Sequence, residues 1–291
     1  MTPLQAVREV ARALGVAGVP SPRVDAEHLV GHVLGLTRSQ LYASDDALTD
    51  EEAGRLQALV ERRRAREPLA YVLGEWGFRR LILVVDRRAL VPRPETEVVV
   101  ERCLAYLAGI EAPRVLDVGV GSGAIALAIA DEHPGASVVA VDRAEGALAL
   151  AGENLARTGL EARVTLVRGH LLDGVAGPFD LVVSNPPYVP AAEYESLQPE
   201  IRLFEPYEAV VGDGLWDPIA ERALRALAPG GRLVLECGDG QADEVAAGLR
   251  KLGYDDVLAT PDLAGRPRVV EGRRPQAPRP VPGTRAGRTG H

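Results

Sequence analysis

Apolar side chains recur every three to four residues near the start of the chain, with Val7, Val10, Ala11 and Leu14 on one helical face. No alternating strand pattern interrupts residues 1–65, so this stretch is predicted to be a small helical bundle. Pro20 and Pro22 separate the first helix from a second expected from about Asp25, and the capping box Thr49-Asp50-Glu51-Glu52 opens a third. Arg62-Arg63-Arg64 falls at the end of that helix, where cations complement the dipole; dipole and solubility account for it more simply than phosphate binding. The pattern then changes. Apolar runs around Gly74 and Gly77 and from Leu81 to Val85 predict a β-hairpin linker over residues 66–90. Pro94, with Glu95 and Glu97 behind it, makes a good first helical turn.

Over residues 91–274 short apolar runs alternate with helical stretches, which predicts an α/β domain with a doubly wound, mostly parallel sheet. Strands are expected at Arg114 to Val118, Ala136 to Val141, Phe179 to Val183, Arg232 to Glu236, Tyr254 to Ala259 and Arg268 to Glu271. Past Gly272 the chain is rich in Pro, Arg and Gly, and residues 275–291 are expected to be a disordered tail.

Composition narrows the function classes. A chain of 291 residues is comfortable for two domains, and no apolar run is long enough for a membrane span. The opening Met1-Thr2-Pro3-Leu4-Gln5 lacks the basic and apolar regions of a signal peptide, so a cytoplasmic location is expected. Cys103 and Cys237 are far apart and have no Cys or His at ligand spacing, so buried thiols are expected and neither a disulfide nor a metal site. A net charge of −8 argues against broad nucleic-acid binding, which draws on a basic face, and suits a protein or small-molecule partner.

Two motifs carry the chemistry. The run Phe179-Asp180-Leu181-Val182-Val183-Ser184 reads as a buried parallel strand, and Asn185-Pro186-Pro187-Tyr188 sits at its carboxyl end. That edge of an open α/β sheet is where ligands bind, and two prolines fix the backbone there. Asn185 offers a carbonyl acceptor, Pro186 a carbonyl with no competing N–H, and Tyr188 a flat ring, a set suited to holding an NH2 group by both hydrogens. An isolated Asn-Pro-Pro is more simply a turn. The second motif changes that balance. Arg114-Val115-Leu116-Asp117-Val118 runs into Gly119-Val120-Gly121-Ser122-Gly123 and then into an apolar helix, the strand, glycine turn and helix of a nucleotide-like cofactor site. About twenty residues on, Asp142 ends the next strand, placed to accept hydrogen bonds from both hydroxyls of a ribose. The same glycines also satisfy the dinucleotide fingerprint, but the alternating spacing and Asp117 before the first glycine favour S-adenosylmethionine. Asp117 itself is left between two roles, a water-mediated contact to the methionyl amine and a cap on the turn.

With these motifs at the ends of successive strands, the chain resembles the release-factor glutamine methyltransferases, the PrmC/HemK family, over residues 1 to about 274. The resemblance rests on Glu67-Pro68-Leu69-Ala70-Tyr71-Val72-Leu73-Gly74-Glu75, on Val91-Pro92-Arg93-Pro94-Glu95-Thr96-Glu97, on the glycine motif, and on Ser184 to Pro190. It implies a class I, Rossmann-like methyltransferase fold behind an N-terminal helical domain that recognises substrate. It implies S-adenosylmethionine as cofactor, bound by Gly119, Val120, Gly121, Ser122, Gly123, Asp142, Leu171 and Asn185. Asn185, Pro186 and Tyr188 are the implied catalytic residues, and Asn185, Pro186, Pro187 and Tyr188 the implied substrate-binding ones. The implied reaction is N5 methylation of the glutamine in the Gly-Gly-Gln motif of peptide-chain release factors, by a monomer with no nucleic-acid or membrane partner. The alternative is an adenine-amino methyltransferase acting on a flipped base of DNA or RNA, for which no basic target-recognition domain is evident. Val120 stands where the family usually has Thr and His170 where it usually has Asp, and both departures fall on the cofactor side.

Overall fold

The structure is a computed structural model, and it describes residues 1–276. The expected tail lies, from residue 277 on, outside the described residues. Residues 275 and 276 are described, and Arg274 is still tied to the sheet by its N–H to Gly231 O (2.8 Å) and its carbonyl to Gly230 N (3.0 Å).

The N-terminal bundle comprises α1 (Pro3–Val16), α2 (Pro22–Leu34), α3 (Arg38–Ala43) and α4 (Asp50–Arg64). Three of these start at capping boxes, at Thr2, Thr37 and Thr49, each threonine accepting from the N3 backbone while the N3 side chain accepts from the cap N–H. The second helix begins at Pro22, earlier than the sequence predicts, because proline's fixed φ suits the first helical position, where no N–H is needed. α3 has no counterpart in the sequence pattern, since six residues hold too little periodicity to register. Ala6, Val10, Leu14, Leu29, Leu41 and Leu56 share the bundle's apolar core. A short α5 (Leu69–Leu73), likewise without a counterpart there, leads into the expected hairpin, β1 (Glu75–Phe78) paired antiparallel with β2 (Leu81–Val84).

The second layer system follows as α6 (Pro94–Leu107), β3 (Arg114–Val118), α7 (Ala124–Glu132), β4 (Ser137–Asp142), α8 (Glu145–Thr158), β5 (Val164–Arg168) and β6 (Phe179–Ser184). After a 3-10 turn come α9 (Pro199–Phe204), α10 (Tyr207–Val210), α11 (Trp216–Ala226), β7 (Leu227–Glu236), α12 (Ala242–Leu252), β8 (Asp255–Pro261) and β9 (Pro267–Arg273). Strand order in the seven-stranded sheet is β5-β4-β3-β6-β7-β9-β8. β3 to β7 run parallel, and β9 and β8 close the edge antiparallel. Strand alternation separates two cores: Val115 and Val183 face α6 and α7, while Leu116 and Val182 face α11 and α12. One strand start differs from the sequence reading. Pro229-Gly230-Gly231 does not precede β7 but lies within it, where the pairing jumps from Phe179↔Leu227 to Leu181↔Arg232.

The arginine run at the end of α4 is not a uniform dipole complement. Arg63 is buried, with Nε 2.7 Å from Asp25 on α2 and a terminal nitrogen 2.9 Å from Glu200 on α9. Arg66 grips the same Glu200 through two bonds of 2.7 and 2.6 Å. Arg62 forks onto Glu67 from an exposed position, and Arg64, equally exposed, pairs with Glu61. Glu200 therefore joins the helical bundle to the segment that follows Tyr188.

Candidate active site

β3 and β6 are adjacent and parallel, while β4 lies on the far side of β3, so the sheet reverses its winding between β3 and β6. A crevice opens outside the carboxyl ends at such a point. Here it is a cleft of about 220 Å³, lined by the glycine turn after β3, by Asp142, by residues 169–171, by Asn185 to Pro187 after β6, and by residues 88–93 with Thr96.

The three glycines of the turn differ in what they do. All have φ in the left-handed region, 82° at Gly119, 54° at Gly121 and 91° at Gly123. A Cβ on Gly119 would meet nothing within 4 Å and one on Gly121 only Ala89 Cβ at 4.0 Å, so the backbone there borders the open cleft. Gly123 stands behind that wall. Its Cβ would lie 3.0 Å from Leu127 Cδ1 and 3.6 Å from Ala151 Cβ, so it lets α7 pack closely on α8. The turn is pinned by Gly119 N and Val120 N, both donating to Val141 O at 2.8 and 3.0 Å. Val120 is buried on the cleft wall, and the Ser122 carbonyl accepts from Asn154 Nδ2 at 2.9 Å.

Asp142 ends β4 with one carboxylate oxygen accepting from Gly121 N (3.0 Å) and the other from Ala144 N (2.9 Å). A carboxylate has about four acceptor sites, so each oxygen retains one for a hydroxyl. His170 and Leu171 form the opposite part of the wall, and Leu171 holds φ of 55° to do so. The mixture suits the proposed cofactor: open backbone at Gly119 and Gly121, a carboxylate for a diol, and apolar Val120, Val141 and Leu171 beside it.

Asp117 takes the capping role. Its Oδ2 accepts from Ala126 N at 3.1 Å, its other oxygen has no partner among the described residues, and it does not line the cleft. Burial pushes its carboxyl from the usual 3.8 up to about 7, with the Ala126 N–H pulling down and the Asp142 charge adding to the rise. The folded chain thus keeps a proton that the unfolded chain has lost, so this contribution to stability is full below about pH 4 and fades as pH rises through 7. Asp117→Asn is expected to flatten that decline by roughly 3 kcal/mol between pH 5 and pH 8. Urea unfolding of both proteins at pH 5 and pH 8 checks it; parallel declines would rule the assignment out.

Asn185 follows β6 with its amide nitrogen 3.2 Å from Thr96 Oγ1, and Thr96 Oγ1 donates in turn to Glu236 Oε2 at 2.7 Å. Asn185 Oδ1 and the Pro186 carbonyl oxygen have no hydrogen-bond partner among the described residues. Tyr188 does not line the larger cleft. It lines a smaller cleft of about 40 Å³ with Pro186, Pro187 and Glu236, and its ring lies against Gly238, where a Cβ would come within 3.1 Å. Its carbonyl accepts from Gln241 Nε2 at 3.0 Å.

Three residues at the site escape sequence reading. Asn154, fully buried on α8, accepts from Val84 N (2.7 Å) and donates to Val84 O (3.0 Å) and Ser122 O, fastening the hairpin to the glycine turn. Thr96 lies inside Pro94-Glu95-Thr96-Glu97, a segment in which the charged neighbours draw attention first. Glu236 ends a strand with no motif around it; a carboxylate at the carboxyl end of a buried strand is the one available signal.

Comparison with known proteins places this geometry. Residues 5–74 match the family model described as the PrmC N-terminal domain, and residues 96–201 match the methyltransferase small domain. The chain is 44% identical over 275 residues to the release factor glutamine methyltransferase of Rhodospirillum rubrum, an alignment covering 92% of this chain and 84% of that one. The chain belongs to the release factor glutamine methyltransferase family. The Deinococcus radiodurans release factor glutamine methyltransferase is 46% identical over 265 residues, covering 89% of this chain and 93% of that one. Among solved structures, the hMettl16 catalytic domain, in complex with a 3'UTR hairpin, superposes with a TM-score of 0.53 at 14% identity over 80% of this chain and 84% of that one. At that identity the likeness is one of fold, the class I methyltransferase fold.

Proposed function

We propose that this chain transfers the methyl group of S-adenosylmethionine to the side-chain amide nitrogen, N5, of the glutamine in the Gly-Gly-Gln motif of peptide-chain release factors. The observation that carries the reading is the pair of unpartnered acceptors, Asn185 Oδ1 and Pro186 O, across the switch point from a cofactor-compatible glycine turn. Relatives at this level of identity carry the release-factor name, so the adenine alternative is not favoured.

An amide nitrogen is a poor nucleophile because its lone pair is delocalised into the carbonyl. Asn185 Oδ1 and Pro186 O accept the two N–H hydrogens and turn the remaining lobe of the nitrogen toward the cofactor. S-adenosylmethionine supplies the electrophilic methyl on a sulfonium. Gly119 and Gly121 admit the cofactor to the backbone, with Val120, Ser122 and Gly123 completing the turn, Asp142 receives the ribose hydroxyls, and Leu171 packs on the adenine. Pro187 and Tyr188 complete the substrate side, Pro187 at the mouth of both clefts and Tyr188 from the smaller one. The protonated N-methyl amide is acidic enough to lose its proton to water, so the chain's contribution is orientation and electrostatics. Residues 1–65 present the release factor, and a monomer acting on a protein in the cytoplasm fits the net charge of −8. No helix among the described residues is long and apolar enough to cross a membrane.

Intact-mass analysis of a release factor incubated with enzyme and cofactor tests the reaction. One added methyl, absent when the Gly-Gly-Gln glutamine is replaced by Ala, is expected; equal labelling of that control would refute the substrate. Asp142→Ala is expected to weaken cofactor binding by ~1.5–3 kcal/mol while the fold persists, since it removes a charge-assisted contact. Calorimetric titration with S-adenosylmethionine reads this directly, and unchanged affinity would rule out the ribose role.

A further inference from the structure

Thr96 and Glu236 come from two elements remote in sequence and meet behind Asn185. Thr96 is in the first turn of α6, and Glu236 is the last residue of β7, one step past the Ser184↔Leu235 pair of the parallel ladder, so it lies opposite Asn185. Both side chains are buried. The Tyr188 hydroxyl also lies beside the Glu236 carboxylate.

Hydrogen-bond polarity in this chain of groups runs one way. Burial pushes the Glu236 carboxyl up to about 7, with the Thr96 hydroxyl pulling it down. Above that pH the carboxylate is ionised and only accepts, so the single proton of the Thr96 hydroxyl goes to Glu236 Oε2 at 2.7 Å. The face of Thr96 Oγ1 left toward Asn185 carries lone pairs alone. Asn185 must then present its NH2 group, as it does at 3.2 Å, and its carbonyl oxygen is turned away from Thr96. An Asn amide is nearly symmetric in shape, so without such a partner nothing steric chooses between its two orientations. The wrong one would aim donors at a substrate NH2 that is itself a donor.

We propose that Thr96 and Glu236 are positioning residues that fix the orientation of the Asn185 amide, so that its carbonyl oxygen and not its nitrogen meets the nucleophilic amide of the substrate. This rests on the glutamine-methylation reading above and names the residues that set the polarity of that site. Glu236 is the fixed end of the relay, Thr96 reverses nothing but transmits the acceptor character, and Asn185 delivers it.

Two variants separate polarity from packing. Thr96→Val keeps the shape and removes the hydroxyl, while Thr96→Ser keeps the hydroxyl and removes a methyl. In single-turnover methylation of a Gly-Gly-Gln release factor at saturating cofactor, Thr96→Val is expected to lose about tenfold in rate, the weight of one hydrogen bond, with cofactor affinity by calorimetry unchanged. Thr96→Ser is expected to restore the rate. A Val variant as fast as the parent, or a Ser variant as slow as Val, would overturn the proposal. Side-chain amide hydrogen exchange of Asn185, followed by 15N NMR and assigned by its absence in Asn185→Ala, reads the relay without any substrate. Slow exchange in the parent and in Thr96→Ser but fast exchange in Thr96→Val supports it, and equal exchange in all three overturns it. Unmethylated glutamine with the parent enzyme would sink the substrate reading while leaving the exchange result to decide the relay.

Discussion

Asn185→Ala is expected to abolish methyl transfer, by on the order of 10²-fold or more in single-turnover rate, while S-adenosylmethionine binds with near-normal affinity. The expectation follows from where the side chain's bonds go. Its nitrogen is committed to Thr96 and its oxygen is uncommitted, so the group supports the fold through a single partly buried bond at most. That bond contributes about 1 kcal/mol to stability, too little to unfold the domain. On the proposed mechanism, loss of the oxygen removes one of the two acceptors for the nucleophile, and the amide is then free to rotate its lone pair away from the methyl group. The cofactor contacts proposed for Gly119, Gly121 and Asp142 lie at the ends of other strands, so the substitution leaves those cleft residues in place. A turn-closing role for Asn185 would give the opposite result, a lower unfolding midpoint with most of the rate kept. Rate and midpoint measured on one preparation distinguish the two.

Why the glycine turn and Asn185 are legible in the sequence, and Thr96, Glu236 and Asn154 are not, has a physical reason. A turn that needs three left-handed residues within five positions writes its requirement into adjacent letters, as Gly119-Val120-Gly121-Ser122-Gly123 does. Two prolines after an apolar strand do the same for Asn185. A relay whose bonds span 89 and 140 residues leaves no local trace, and neither does Asn154, which meets Val84 across 70. Their partners are set by sheet order, and sheet order follows from the packing of whole elements. Tyr188 shows the converse limit. Adjacency in sequence to Asn185 suggested a shared site, yet the prolines between them turn the chain and send Tyr188 toward Gly238 and Glu236, into the smaller cleft. α3 (Arg38–Ala43) is illegible for another reason: six residues of helix, capped by Thr37 and Gln40, are too few for a period to show.

The arginines that end α4 give the other large expected effect. Arg63→Ala is expected to destabilise the protein by about 3–5 kcal/mol, whereas Arg64→Ala, one residue on, changes stability by no more than about 0.5 kcal/mol. The sequence treats the two alike, as cations complementing a helix dipole, and on that reading both substitutions would have the same small cost. The structure separates them. Arg63 has 6% of its side chain exposed and bonds Asp25, Glu200 and the carbonyl of Glu67, so its removal leaves Asp25 buried without a cation partner among the described residues. Glu200 retains Arg66 at 2.6 Å, which limits the damage on that side and keeps the cost from doubling. Among the described residues Arg64 is paired only with Glu61, in solvent, where Coulomb gain and side-chain entropy nearly cancel. Because Glu200 lies on α9, downstream of Tyr188, the Arg63 loss is also expected to loosen the helical bundle from the segment that flanks the cleft. Guanidinium unfolding of the two variants, with the protease sensitivity of residues 1–65 as a second readout, checks both parts. Equal unfolding midpoints for Arg63→Ala and Arg64→Ala would return the whole run to a dipole role and dissolve the link between the bundle and the active site.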